Sequence, residues 1–214
     1  MRAVALSAAC GVLLVLGACG GAGRPAAHPP GALAGGSVPS VPTPVPIGRG
    51  DRLRPGPGPG PGPATADRLP CRTAPPPRTH DAVHIELFAA GHTVIVPAGI
   101  GIAPPRRRAG AFVTGGRCVT PLRTTEPTGV IELLPGTRAT LGDLFAVWGR
   151  ALGPRRLLSF DGPVRAWVDG TRWRGPVAAI PLRHHAQIVV VTGPDVPVHA
   201  TYGFPPDGVT HLRP

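Results

Sequence analysis

The chain has 214 residues and a net charge of +11, and all 22 of its basic residues are arginine. That length suits one modest domain with extensions. The absence of lysine excludes a phosphate-loop lysine, a Schiff base and a lysine general base. The arginines are scattered among few aromatic residues, which argues against nucleic acid as a partner. The expected partner, besides the membrane, is an anionic envelope component, such as a phospholipid surface or acidic polymer, or another envelope protein.

Arg2 supplies a short positive segment, and Val12 to Leu16 are the densest part of an apolar one. Leu16-Gly17-Ala18-Cys19 then has the form of a lipobox: an aliphatic residue, two small residues and a cysteine to be acylated. Residues 1–18 are therefore expected to be a lipoprotein signal peptide, with Cys19 lipidated and the chain held to the extracytoplasmic face of the cell membrane. The apolar stretch is short of the ~20 residues that span a bilayer. An ordinary secretory signal, with Cys19 incidental, is the other possibility.

Residues 19–78 are expected to be a disordered spacer. The alternating run from Pro55 to Pro63 cannot sustain a regular backbone ladder, and apolar side chains are too sparse to offset the entropy of ordering.

An α+β domain is expected over 79–205, followed by a flexible tail over 206–214. His84 to Phe88 and His92 to Val96 form a predicted hairpin about Ala89-Ala90-Gly91, with a loop from Pro97 to Pro105. Arg106 to Arg108, between Pro105 and Gly110, suit a solvated loop. Cys118 to Thr125 and Gly129 to Leu134 are two further predicted strands. Thr140 followed by Asp143 makes a capping box, and Leu141, Leu144, Phe145 and Trp148 fall on one helix face. Gly153-Pro154 is the predicted stop. Val164 to Val168 alternate, Asp169-Gly170 is a hairpin turn, and Trp167 then faces Arg172 across the strands. Gln187 to Val191 is apolar without alternation, as in a strand covered on both faces. Together these predict a mixed β-sheet packed on one helix, in the manner of a β-grasp roll. A small β-sandwich with a helical insertion is the alternative.

Cys10 and Cys19 belong to the export segment, so Cys71 and Cys118 are left as an even pair in an oxidising compartment and are expected to form a disulfide. The best metal-ligating candidates are His80, His84 and Glu86. His84 and Glu86 share a strand face two residues apart, and His92 on the facing strand is a conceivable addition. The competing reading is a set of polar residues on a solvated edge. Glu126 with Glu132 offers a carboxylate pair, while Ser159 and Tyr202 lack a catalytic context. His184-His185 are expected to point to opposite faces of a strand, and His199 and His211 to stand isolated near a mobile end.

The strings His84-Ile85-Glu86-Leu87-Phe88, Val96-Pro97-Ala98-Gly99-Ile100-Gly101-Ile102, Gly129-Val130-Ile131-Glu132 and Thr140-Leu141-Gly142-Asp143-Leu144-Phe145 with Trp148-Gly149 resemble a group of uncharacterised exported bacterial proteins. The likeness covers His80 to about Gly193. Members of that group often carry an H-x-H-x-H run and an H-T-H-D string, which imply a metal site. This chain keeps His80 and His84 but has Ala82 between them, and the second string is Arg123-Thr124-Thr125-Glu126. The resemblance thus implies a degenerate version of that site. The expected function is a membrane-anchored envelope lipoprotein without a cofactor, a non-catalytic binding or assembly module. A metal-handling lipoprotein is the second possibility and a carboxylate-pair hydrolase the third.

Overall fold

The computed structural model describes residues 53–60, 69–73 and 81–204. The signal segment with Cys19, the candidate ligand His80, and the tail with His211 lie outside the described residues.

Among the described residues, thirteen strands and one α-helix follow one another: β1 (Leu53–Pro55), β2 (Asp81–Ala89), β3 (His92–Ile95), β4 (Arg107–Ala109), β5 (Phe112–Gly115), β6 (Leu122–Arg123), β7 (Val130–Leu133), α1 (Leu141–Trp148), β8 (Leu152–Gly153), β9 (Arg156–Leu157), β10 (Phe160–Asp161), β11 (Val164–Val168), β12 (Thr171–Arg172) and β13 (Gln187–Thr192). Eight of them make one mixed sheet in the order β1-β3-β2-β13-β11-β12, with β7 joined to β2 and β6 to β7. The fold is therefore dominated by sheet, with a single short helix. β2 is its organising strand. Along one edge it pairs in parallel with β13 from His84–Gln187 to Ala89–Thr192. Its other edge is divided, with β7 taking Asp81 to His84 and β3 taking Leu87 to Ala89.

The two hairpins expected from local sequence are present. The β2–β3 turn places Ala90 and Gly91 at φ 51° and 76°, and the β11–β12 turn places Asp169 and Gly170 at φ 50° and 76°. Both pairs thus have the positive φ values that match the twist of a two-residue hairpin. Trp167 faces Arg172, whose guanidinium carbon lies 5.3 Å from the ring centroid.

One face of the sheet, with Val83, Ile85, Leu87, Ala166, Ile188 and Val190, shares a single apolar core with Leu141, Leu144, Phe145 and Trp148 of α1. Thr140 caps α1. Its hydroxyl accepts from the Asp143 amide while Asp143 accepts from the Thr140 amide. The helix ends four residues earlier than Gly153-Pro154 predicts. Gly149 takes φ 69°, and the amides of Gly149 and Arg150 bond back to the carbonyls of Ala146 and Phe145, closing the helix locally.

Three expectations are corrected. The segment placed in the disordered spacer contains β1, which lies parallel to β3 with Leu53 opposite Thr93. Beyond it, the Gly58 carbonyl accepts from the Trp148 indole at 3.0 Å. A Pro-Gly run offers few donors, but its carbonyls are free to accept, and side chains of the domain supply the donors. Arg107 and Arg108 belong to a two-stranded β4–β5 hairpin rather than a loop, though both are exposed as expected. Cys118 to Thr125 is a strand only over β6, because the Cys118 region bends to meet the incoming chain. There Arg72 and Val119 exchange two backbone hydrogen bonds of 2.9 and 2.8 Å beside the Cys71–Cys118 disulfide, whose Cα atoms are 5.4 Å apart. Among the described residues, no helix is long and apolar enough to cross a membrane.

The disulfide closes a loop across a sequence separation of 47. A loop of that size removes enough unfolded-state entropy to stabilise the fold by about 4 kcal/mol. Replacing both cysteines by serine is expected to lower the unfolding free energy by a comparable amount in a urea titration. A loss below about 1 kcal/mol would show that the backbone bridge beside it carries the junction.

Candidate functional site

The sheet face opposite α1 is the polar one. It holds His84, Glu86 and Gln187, with Phe88, Val189 and Val191 beside them. Residues 194–204 cross it as a strap, and Val196 and Val198 pack on Phe88, Val189 and Val191. This accounts for β13 being buried at all six positions.

His84 and Glu86 do share this face, as their spacing predicts, but neither is solvated. His84 is 1% exposed and Glu86 4%. The His84 Nε2 lies 2.9 Å from the Thr128 carbonyl and its Nδ1 lies 2.6 Å from the Gln187 amide. Burial pulls the His84 pKa down to about 4, outweighing those hydrogen bonds. The ring is therefore neutral at pH 7 and has one N–H. Both of its nitrogens face carbonyl oxygens, Nε2 that of Thr128 and Nδ1 the Gln187 Oε1, and the one N–H can donate to only one of them. Tyr202 of the strap stacks on the same ring, with centroids 3.7 Å apart and planes within 9°. Glu86 bonds instead to His199, whose Nδ1 is 2.9 Å from Oε1. Burial raises the Glu86 pKa, and the His199 contact opposes that rise. Burial also raises the Tyr202 pKa, helped by the charges of Glu126 and Glu86.

His199 is thus a partner of the candidate site rather than an isolated residue. His184 and His185 are corrected as well. They occupy a turn, not a strand, and His185 has φ 61°. That geometry stacks the two rings on one another at 3.7 Å instead of sending them to opposite faces, and His185 stacks in turn on Phe204 at 4.4 Å. Burial and the neighbouring His184 lower the His185 pKa. The candidate His92 bonds the Ala90 carbonyl of its own turn at 2.9 Å.

The altered string lies at the β6–β7 end of the same sheet. Arg123 and Ala82 both stand in register with Glu132. The Arg123 guanidinium reaches the Glu132 carboxylate at 2.7 and 2.8 Å, with both side chains buried, and the Thr125 hydroxyl donates to the other oxygen. Glu126 accepts from Thr128 at 2.9 Å. The carboxylate pair suggested by sequence is therefore unequal: Glu132 is charge-paired, whereas Glu126 has a neutral hydroxyl. Gly129 keeps these elements close. A Cβ there would stand 2.4 Å from the Ile85 carbonyl oxygen, and φ is 85°.

Sequence reasoning missed the strap because its partners lie about a hundred residues upstream. The only signal was the apolar spacing of Val196 and Val198 next to a strand already known to need two covers. Among the described residues, no group of three or more His, Cys, Asp or Glu side chains is placed to hold a metal ion. No protein-family model matches the chain, and no curated protein or solved structure matches it.

Two outcomes are expected. As pH falls from 6.5 to about 4, the unfolded chain takes up a proton at His84 that the folded chain refuses, so stability declines through that window. The decline amounts to about 3 kcal/mol at most. Glu86 acts in the opposite sense, since its raised pKa lets the folded chain take its proton first. Thermal melts across that range should show the decline in the wild type and a flatter profile in His84→Gln; equal profiles would assign the acid sensitivity elsewhere. The second outcome concerns the Arg123–Glu132 pair. Arg123→Met alone should cost about 3–5 kcal/mol by removing the opposite charge from beside a buried carboxylate, while Arg123→Met with Glu132→Leu should recover most of it. A double variant as unstable as the single one would overturn that account.

Proposed function

We propose that this protein is a membrane-anchored lipoprotein of the bacterial envelope. In this reading it is lipidated at Cys19 and displays a non-catalytic binding or assembly module on the extracytoplasmic face. The topology suits a β-grasp-like roll, with the one helix seated on one face of the mixed sheet.

The observation that carries the non-catalytic reading is the closure of the polar face. His84 is stacked under Tyr202, Glu86 is bonded to His199, and Glu132 is paired with Arg123. A general base or metal ligand needs a lone pair open to substrate or ion, and these groups are engaged with partners, His84 and Glu86 beneath the strap and Glu132 at the β6–β7 end of the sheet. The Cys71–Cys118 disulfide supports an oxidising compartment. The lipobox supports the anchor, and the tether that follows it would be shorter than composition suggests, since the chain is already docked at Leu53. The similarity to exported proteins carrying histidine strings fits the same picture, with Arg123 supplying the positive charge opposite Glu132 that a cation would otherwise bring.

The test is fractionation of cells expressing the full chain. Wild type is expected in the membrane fraction and resistant to a high-salt wash, and Cys19→Ser in the soluble extracytoplasmic fraction. A Cys19→Ser protein that still sediments with membranes at high salt would overturn the anchor.

A further inference from the structure

Where the incoming chain docks, it completes a cleft of about 440 Å³. Three arginines are among its lining residues: Arg54 on β1, Arg150 just past the end of α1, and Arg156 on β9. Its apolar wall includes Val94, Leu158 and Phe160, and no described carboxylate lines it. Arg156 holds the exposed Asp161 at 2.7 Å, with both side chains at least half in solvent, so that pair is weak and readily exchanged.

Arg150 is the informative residue. Its Nη2 donates to the Gly58 carbonyl at 3.3 Å, but its Nε is buried without a hydrogen-bond partner among the described residues. A buried N–H left unpaired on a charged group is costly, so the Arg150 guanidinium is not fully satisfied by the described residues. Leu158, at φ 57°, takes the first position of the two-residue turn between β9 and β10, as Ala90 and Asp169 do in the other two hairpins. That backbone carries the hairpin of Arg156 and Phe160 around to the cleft.

We propose that this cleft binds the phosphate of an organic phosphate ester, with the apolar part of the ester resting against Val94, Leu158 and Phe160. Three guanidinium forks exceed what one carboxylate can engage, whereas a phosphate offers several acceptor oxygens and more charge. The apolar wall argues against bare inorganic phosphate as the best ligand. The same chemistry is presented by a soluble phosphomonoester and by a phospholipid headgroup. This inference deepens the binding-module reading and rests on it, but makes no use of the lipid on Cys19. Its failure therefore leaves the fractionation result standing, and the reverse holds too.

The experiment uses the full chain as the Cys19→Ser variant, so that the anchor does not contribute. Glycerol 3-phosphate is titrated by calorimetry, and vesicles of phosphatidylcholine with or without phosphatidylglycerol are tested by co-sedimentation. Binding to at least one phosphate probe is expected, weakened at least about tenfold by Arg54→Gln with Arg150→Gln and Arg156→Gln. Arg172→Gln with Arg174→Gln, equal in kind but away from the cleft, should leave it unchanged. Arg156→Gln alone, at an exposed position, should weaken binding even if the triple variant folds poorly. Binding of glycerol 3-phosphate assigns a soluble ester, and binding of the phosphatidylglycerol vesicles alone assigns a headgroup. The proposal is overturned if neither probe binds, if Arg156→Gln and the triple variant bind as wild type does, or if the Arg172 and Arg174 control loses as much.

Discussion

A strand that is apolar on both faces must be covered on both faces, and β13 imposes that requirement on the rest of the fold. Ile188 and Val190 look into the core shared with α1, while Val189 and Val191 look the other way. The helix can satisfy only one side. The other is satisfied by the chain itself, which turns at Gly193 and returns across the sheet through Val196, Val198 and Tyr202. The pairing of β13 with β2 then fixes what else lies beneath that return. His84 and Glu86 are at the positions opposite Gln187 and Val189, so the strap that shelters valines also shelters a histidine and a glutamate.

Sheltering polar groups is expensive unless each finds a partner, and the strap supplies several of the partners itself. His199 meets Glu86, and the phenol ring of Tyr202 lies flat on the imidazole of His84. At the β6–β7 end the same problem is solved by charge, with Arg123 against Glu132. A buried ion pair of this kind adds little stability over an apolar pair of the same shape. It does fix geometry, because a guanidinium and a carboxylate satisfy each other in few relative orientations. The polar face thus behaves as a second, hydrogen-bonded core beneath an apolar roof, parallel to the one under the helix.

Much of this was legible in the residues, wherever the determinants were local. The turns at Ala90-Gly91 and Asp169-Gly170, the Thr140–Asp143 capping box and the shared face of His84 and Glu86 follow from spacings of a few residues. The Cys71–Cys118 pairing follows from elimination. The central, doubly covered place of β13 follows from its unbroken apolar run. What stayed hidden was non-local. β1 lies in a Pro-Gly stretch whose composition speaks for disorder, and only the exposed edge of β3 gives it a place. The three strands β8, β9 and β10 are two residues each, too short for any period to show. The solvated-edge reading of His84 failed because nothing near it in sequence announces that residues 194–204 come back over it. His184 and His185 misled for a related reason: alternation holds on a strand, and a positive φ at His185 suspends it.

The parallel alignment of β1 with β3 has a mechanical consequence. A pull on the N-terminal side of Leu53 runs along the strand axis, so the hydrogen bonds between β1 and β3 are loaded in shear and must share the force rather than open one after another. If they did give way, the chain would pay out only as far as Cys71, where the covalent link to Cys118 passes tension straight into the body of the domain. The hydrophobic sheet and its strap lie downstream of that link. The disulfide therefore limits how far a pull can unravel the leading segment: β1 can part from β3, and beyond Cys71 the load enters the domain through the covalent link at Cys118.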